Sequence, residues 1–429
     1  MNRRDANPAR WIPPAVWIAV AVAVAALWLG WRVVAATMAA TYALADPAVA
    51  LAWDAAFPDA LVRLAERQLR LGEEATDLTA VSDLAGRALV ASPLEARALR
   101  LMALAADLGA DGERAERLMT VAGARSLRDP AAQAWLFQNR LRSGDVAAAL
   151  DHADALLRTE PQLADRMLPA LAGLASDPAA WPALVARLAT DPPWRPRLLA
   201  ELGARGEPAA AFAVLSELRS GPNPPTDGEV TAYLDRLIAE ERFELAYLAW
   251  IHFLAPERTS ELAYVTNGDF ERPITGGPFD WRIDRATGAS TSVVATGDPD
   301  RGLALRVVFA DTRVPYRNLT KLLLLPPGGY RLLADVKAND LNTARGMTWR
   351  VRCAGGERRI VGETPPVAGT TAWQRVEGAF EVPSTGCRAQ WLSLELAARA
   401  AVERQVSGEI WFDRVKIARL RGVSAASAE

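Results

Sequence analysis

The chain has 429 residues, 51% hydrophobic and 23% charged, enough apolar residues for two or three packed domains and too many for wholesale disorder. With 49 basic against 51 acidic residues the net charge is -2, which supplies no general attraction for phosphate backbones and leaves nucleic acid out as a partner. Two histidines (His152, His252) and two cysteines (Cys353, Cys387) exclude a His-rich metal centre, a zinc finger and a Cys₄ cluster. Lysine occurs only at 321, 337 and 416, so the abundance of Arg and Ala reads as coding bias of a GC-rich bacterium rather than as arginine chemistry.

The first element is a charge-free run from Trp11 to Trp31. As a helix it would reach about 31 Å, one hydrocarbon core. Trp11, Trp17, Trp28 and Trp31 lie towards its ends, where amphipathic rings favour the interface. Pro13 and Pro14 are tolerated at a helix start. Arg3, Arg4 and Arg10 precede it, so the positive-inside rule keeps the N-terminus cytoplasmic and exports the rest. Two other readings compete. A buried soluble helix is disfavoured because the run is apolar on every face. A cleaved signal peptide has an A-x-A site at Ala43-Leu44-Ala45, yet the apolar run is long for an h-region and Arg32 with a spacer intervenes. The predicted element over 1–45 is an uncleaved single-pass anchor in a bacterial inner membrane.

From Asp46 to 258 the chain is rich in Ala, Leu, Arg and Glu. Prolines at 130, 161, 192, 222 and 256 recur every 30–34 residues. Gly112-Glu113, Gly144-Asp145 and Gly206-Glu207 mark predicted helix starts. In GDVAAALDHADALLRTEP (144–161), Ala148, Ala149, His152 and Ala153 share one helical face, small enough for a neighbouring helix to approach. Thr159-Glu160-Pro161 stops the helix. This period resembles tetratricopeptide repeats over about 78–256, with the family's Trp, Leu-Gly and Tyr positions poorly matched; ERFELAYLAWIHFLAPE (241–257) fits well. The resemblance implies a curved α-helical solenoid offering a concave surface to protein partners, against which stands a plain spacer. His152 and His252 have no partner at metal or triad spacing and are expected to be packing or surface residues.

Near residue 260 the periodicity changes to two. Tyr330, Leu332, Ala334 and Val336 alternate with Arg331, Leu333, Asp335 and Lys337. Trp349, Val351 and Cys353 alternate with Arg350 and Arg352, and Leu392, Leu394 and Leu396 with Trp391, Ser393 and Glu395. About ten such segments, with turns at PPGG (326–329) and PSTG (383–386), predict an antiparallel β-sandwich or jelly roll over 264–421, followed by a disordered tail at 422–429. The fold class is therefore multidomain α plus β: a transmembrane helix, a helical repeat array and a sandwich.

NGDFE (267–271) with Pro278-Phe279-Asp280-Trp281 opens this domain, RGLALRV (301–307), PPGGYRL (326–332) and AWQRVEGAFEVP (372–383) follow, and GEIWFDRVKI (408–417) closes it. That succession resembles the carbohydrate-binding jelly-roll modules of bacterial xylanases and glucanases, a galactose-binding-like fold. The resemblance implies a structural calcium near the first and last strands. Glu271 and Asp413 match its carboxylates, and carbonyls near Gly268 with oxygens such as those of Asp300 would have to complete six to eight ligands. Otherwise these carboxylates pair with Arg or cap turns. It also implies sugar recognition by aromatic rings beside polar groups. Trp281, Trp373 and Trp411 sit inside the fold signature and are assigned to the core, as is Trp349. Trp391 alternates away from three leucines, so Trp391, Arg350, Arg352 and Glu395 form the predicted glycan patch.

Cys353 and Cys387, 34 residues apart in an exported domain, read as one disulfide, with two buried thiols as the alternative. There is no P-loop, no GxSxG and no HExxH, and a β-domain without His cannot carry a Ser-His-Asp triad. Glu363, Glu395 and Asp413 are imaginable as a glycosidase pair, without context that singles them out. Asn318-Leu-Thr320 fits an N-glycosylation sequon, incidental in a bacterial chain. These features together point to a non-enzymatic, periplasm-facing factor in envelope polysaccharide assembly or export, in which the array holds proteins and the sandwich holds glycan. A purely structural scaffold and an unrecognised glycan hydrolase are the alternatives.

Overall fold

A computed structural model describes residues 14–70, 77–255, 258, 262–356 and 358–420. The arginines at 3, 4 and 10, Trp11, Pro13, Pro256 and the 422–429 tail lie outside the described residues. The chain divides into two compact units, Met1–Leu163 and Ala164–Glu429.

The first unit is helical: α1 Pro14–Ala43, α2 Pro47–Trp53, α3 Pro58–Arg70, α4 Leu78–Ala91, α5 Ala96–Leu108, α6 Gly112–Arg125, α7 Pro130–Arg142 and α8 Val146–Thr159. Asp46, Asp77, Asp111, Asp129 and Asp145 cap the starts of α2, α4, α6, α7 and α8 by accepting from backbone N–H groups of the first turn, the donors a helix leaves unpaired. Pro47 and Pro130 open α2 and α7, because a missing N–H costs nothing there. Pro130 thus starts a helix, while Pro161 follows the end of α8. Small residues let the helices close up: a Cβ on Gly123 would meet a Leu136 methyl at 2.5 Å. α1 is long and apolar enough to cross a membrane, and it runs on well past Trp31 without a break. Its side chains at 15–34 are exposed, whereas Ala35, Ala39 and Ala43 are buried among Ala50 and Ala60 of α2 and α3.

The second unit begins with α9 Ala164–Gly173, α10 Trp181–Leu188, α11 Arg195–Arg205, α12 Pro208–Arg219, α13 Asp227–Ala239 and α14 Phe243–Phe253. There follow β1 Arg282–Ile283, β2 Ala289–Ala295, β3 Leu303–Arg313, β4 Leu319–Leu323, β5 Gly328–Thr343, β6 Met347–Ala354, β7 Ile360–Glu363, β8 Gly369–Val382, β9 Ala389–Leu396 and β10 Gln405–Arg419. The described residues therefore hold fourteen helices and two five-stranded antiparallel sheets, ordered β1-β4-β9-β6-β7 and β2-β3-β10-β5-β8. The six helices α9–α14 share a unit with the sandwich. Arg282 at the start of β1 binds Asp235 of α13 at 2.8 Å, and Trp250 of α14 packs on Phe279.

One core fills the space between the sheets, built from alternate residues of every long strand. Trp281 and Trp349 are fully buried there with ring centroids 5.5 Å apart; losing either ring would cost about 3–5 kcal/mol. β10 is bulged twice, between Ser407 and Glu409 and between Asp413 and Lys416. Gly408 serves the first bulge, with φ +92° and no room for a Cβ beside the Asp340 carbonyl. Lys321 lies inside this core. Its ammonium donates to the Thr266 carbonyl at 3.0 Å and hydroxyl at 2.8 Å and sits over Trp281. Burial pushes its pKa down to about 7, the Asp280 charge opposing that in part.

Candidate functional site

The β1-β4-β9-β6-β7 sheet turns Leu392, Leu394 and Leu396 of β9 into the core and Trp391, Ser393 and Glu395 to the other side, as period-two geometry requires. Register sets Arg352 opposite Trp391, Arg350 opposite Ser393 and Thr348 opposite Glu395. Trp391, Arg350, Arg352 and Glu395, the residues expected to form the glycan patch, therefore share one face.

Glu395 is the hub. It accepts from Arg352 Nε at 3.1 Å and Nη2 at 2.7 Å, from Arg350 Nη1 at 3.1 Å and from the Ser393 hydroxyl at 2.7 Å. Arg317 Nε lies 3.1 Å away. Arg350 also donates from Nε to Glu363 of β7 at 3.1 Å. Burial alone would raise the Glu395 carboxyl, but hydrogen bonds from Arg352 and Ser393 and the charges of Arg352 and Arg317 outweigh it and hold the group below the ordinary carboxylate range. Three guanidiniums (Arg317, Arg350, Arg352) thus meet two carboxylates (Glu363, Glu395), which leaves one positive charge in excess. A cleft of about 130 Å³ between Thr348, Arg350, Glu363, Thr364 and Arg399 opens on this face. Trp391 is half-buried. Among the described residues no ring and no cation stacks on it.

Arg317 carries no signal in the sequence that would place it here. It lies in the segment before β4, outside any alternating pattern, so only the assembled sheet shows that it reaches Glu395. The alternation of β9 and β6 is enough to place Trp391, Arg350, Arg352 and Glu395, but not Glu363 of β7.

The opposite sheet corrects the core assignment of two tryptophans. Ile410 and Phe412 are buried core residues, so Trp411 between them projects outward, where Arg306 and Lys337 sit over its ring at 5.2 and 5.8 Å. Trp373 is half-buried beneath Arg301, whose guanidinium carbon is 4.4 Å from the ring centroid. Both rings are already stacked on the chain's own cations, the arrangement that a ring quadrupole favours.

Glu271 and Asp413 converge on one turn, 298–303, through protein donors. Glu271 accepts from the Leu303 amide at 2.8 Å. Asp413 and Asp335 share Arg301, with Nη1 at 3.3 and 3.0 Å, and Arg414 donates to the Asp300 carbonyl at 2.6 Å. Burial raises the Asp413 carboxyl. Among the described residues no group of three or more His, Cys, Asp or Glu could hold a metal ion. The cation beside Asp413 is a guanidinium, and this donor set falls short of the six to eight oxygens calcium takes.

Glu363 and Glu395 flank the same arginine. Glu395, held ionised, is unsuited to donate a proton near neutral pH. His152 Nδ1 lies 2.7 Å from the side-chain oxygen of Gln133, and His252 lies 3.2 Å from the Ser216 hydroxyl between Phe212 and Phe253; burial lowers both imidazoles. Cys353 and Cys387 are joined by a disulfide, with Cα atoms 4.9 Å apart.

No family model and no curated protein matches this chain. Among solved structures the sandwich is similar to a CBM4 carbohydrate-binding module, at 17% identity over 36% of this chain and 99% of that one, with a TM-score of 0.28. It is similar to TmCBM61 in complex with beta-1,4-galactotriose, at 17% identity over 37% and 99% of the two chains, TM-score 0.25. It is also similar to the CBM22-1 xylan-binding domain from Paenibacillus barcinonensis Xyn10C, at 13% identity over 36% and 92%, TM-score 0.25.

Proposed function

We propose that this protein is a non-catalytic glycan-binding protein held at a membrane by α1, which takes an acidic polysaccharide on the outer face of the β1-β4-β9-β6-β7 sheet. One observation carries the reading: Trp391 presents a half-buried ring, on which no cation of the described residues stacks, beside a cluster with one guanidinium more than its carboxylates neutralise. An indole face gives a sugar ring a large apolar contact at low entropy cost, and guanidiniums receive a carboxylate in a fork. The sequence resemblance to carbohydrate-binding modules supports the same use of the sandwich. In the cell such a protein would stand on the inner membrane, face the periplasm and serve envelope polysaccharide assembly or export.

The helices supply the protein-binding half of this role. Exposed Leu245 and Leu248 of α14 border an apolar groove of about 430 Å³ with Phe212 and His252, a surface suited to a protein partner.

The test is binding of the full chain in lipid nanodiscs to a panel of uronate-containing and neutral polysaccharides. Uronate glycans should bind, with at least tenfold weaker affinity after Trp391→Ala and a steep loss with salt. Absence of binding to every glycan, or binding that ignores Trp391→Ala, overturns the reading.

A further inference from the structure

The membrane helix and the first helices of the array are packed together, and their directions can be followed. The last turns of α1 lie against α2 and α3, and α2 folds back along α1. Its final residue, Trp53, meets Trp31 with ring centroids 6.1 Å apart, and Arg32 pairs with Asp54 at 4.0 Å. The turn after α2 is thus level with Trp31 and Arg32, in the last turn of the exposed stretch of α1. That stretch, residues 15–34, reaches about 30 Å, one bilayer core.

The later helices register on this level. α3 starts at it and ends away from it, since Arg67 near its end donates to Ala45 in the α1–α2 turn at 2.9 Å. α4 returns: Arg87 donates to the Ala55 carbonyl at 3.0 Å. α5 leaves again, its Arg97 bound to Asp59 at the start of α3 at 2.6 Å. α6 comes back, with Arg125 donating to the Pro93 carbonyl. The α2–α3, α4–α5 and α6–α7 turns therefore line one edge of the array, on the side towards the exposed stretch of α1.

That edge is unusually greasy. Val90 is 87% exposed, Leu94 81% and Leu127 63%, and Trp53 is exposed beside them. Its exposed charges are Arg87, Arg125 and Arg128; Asp54, Glu95 and Asp129 are paired with Arg32, Arg97 and Arg100. Apolar side chains interleaved with arginines that, among the described residues, no carboxylate neutralises fit the headgroup boundary of an anionic bilayer.

We infer that this edge, carried by Trp53, Val90, Leu94 and Leu127 with Arg87, Arg125 and Arg128, rests on the surface of the same membrane that α1 crosses. The inference rests on α1 being a membrane span. The occupant is lipid because the edge is continuous with that helix and faces the side on which it emerges.

The test uses full-length protein in vesicles containing acidic phospholipid, with one added cysteine labelled by an environment-sensitive fluorophore; the native cysteines are disulfide-bonded. Leu94→Cys and Leu127→Cys report the edge. Leu108→Cys, 64% exposed at the far end of α5, is the control. Nitroxide-bearing lipids should quench the labels at 94 and 127 at least threefold more than the label at 108. Equal quenching in protein that floats with the vesicles and resists carbonate extraction overturns the membrane-resting edge while the anchor stands. Protein that fails to float overturns the anchor and the edge with it.

Discussion

The two outward faces of the sandwich draw on the same residues and use them in opposite ways. On the sheet that ends with β8, Trp373 and Trp411 each lie against the chain's own cations, which already take up ring surface that a sugar would need. On the sheet that ends with β7, the arginines converge on Glu395 instead, and among the described residues no cation stacks on the half-buried Trp391. Counting tryptophans and arginines does not tell a receptive surface from a self-satisfied one; the pairing does.

The comparison can be tested from its inner side outwards. The largest effect belongs to Lys321, which points from the Trp391 sheet into the core. Its folded-state pKa of about 7 lies below the unfolded value of 10.5. Between those values the unfolded chain holds a proton that the folded chain lacks. Stability should therefore climb as pH rises from 7 towards 10, by on the order of 3 kcal/mol, with the full penalty present below pH 7. Denaturant melts should show that climb in the natural chain and flatten it in Lys321→Met; an unchanged slope breaks the assignment.

Next in size is Glu395→Gln, which removes the buried carboxylate from the half-buried Arg350 and Arg352 and should cost about 2 kcal/mol of unfolding free energy. Glu409→Gln on the other face, in a more exposed pair, should cost under about 1 kcal/mol. Because the folded-state pKa of Glu395 is depressed, its contribution is present above the unfolded carboxyl pKa of about 4.3 and lost as pH falls further. An equal cost for the two variants would remove the asymmetry between the faces.

Trp391→Ala should weaken glycan binding about tenfold, roughly 1.4 kcal/mol, and, because the ring is half-buried, lower stability by about 1 kcal/mol as well. Trp373→Ala should leave binding intact and lower stability by about 1 kcal/mol as its cation contact goes. The reverse outcome would exchange the roles of the two sheets. The smallest effect is that of a chelator: with Arg301 already between Asp335 and Asp413, EDTA should move the melting temperature by less than about 1 °C, and a larger drop would restore calcium to that turn.

Much of this was legible in the sequence because period-two alternation is local. It separated Leu392, Leu394 and Leu396 from Trp391 and Glu395, and Trp349 and Val351 from Arg350 and Arg352, with no knowledge of strand order. The same rule, applied to Ile410-Trp411-Phe412, would have turned Trp411 outward; the unbroken run of large apolar residues hid it. Trp373 needed Arg301, seventy-odd residues earlier in the chain, to explain its place. Arg317 could not be found at all, since it meets Glu395 only through the β4–β9 pairing. In the helices, Asp145 and Glu207 marked true starts because an N-cap acts within one turn. That the last turns of α1 belong to the array was hidden, because Ala35, Ala39 and Ala43 are as apolar as the span before them.

Cys353 closes β6 and Cys387 stands just ahead of β9. The segment between them contains β7 and β8, the end strands of the two sheets. One covalent ring therefore hems both sheets along the same border. A protease that nicks the chain anywhere between 354 and 386 should release nothing until a reductant is added, so the exposed hem of the sandwich can be cut without coming undone.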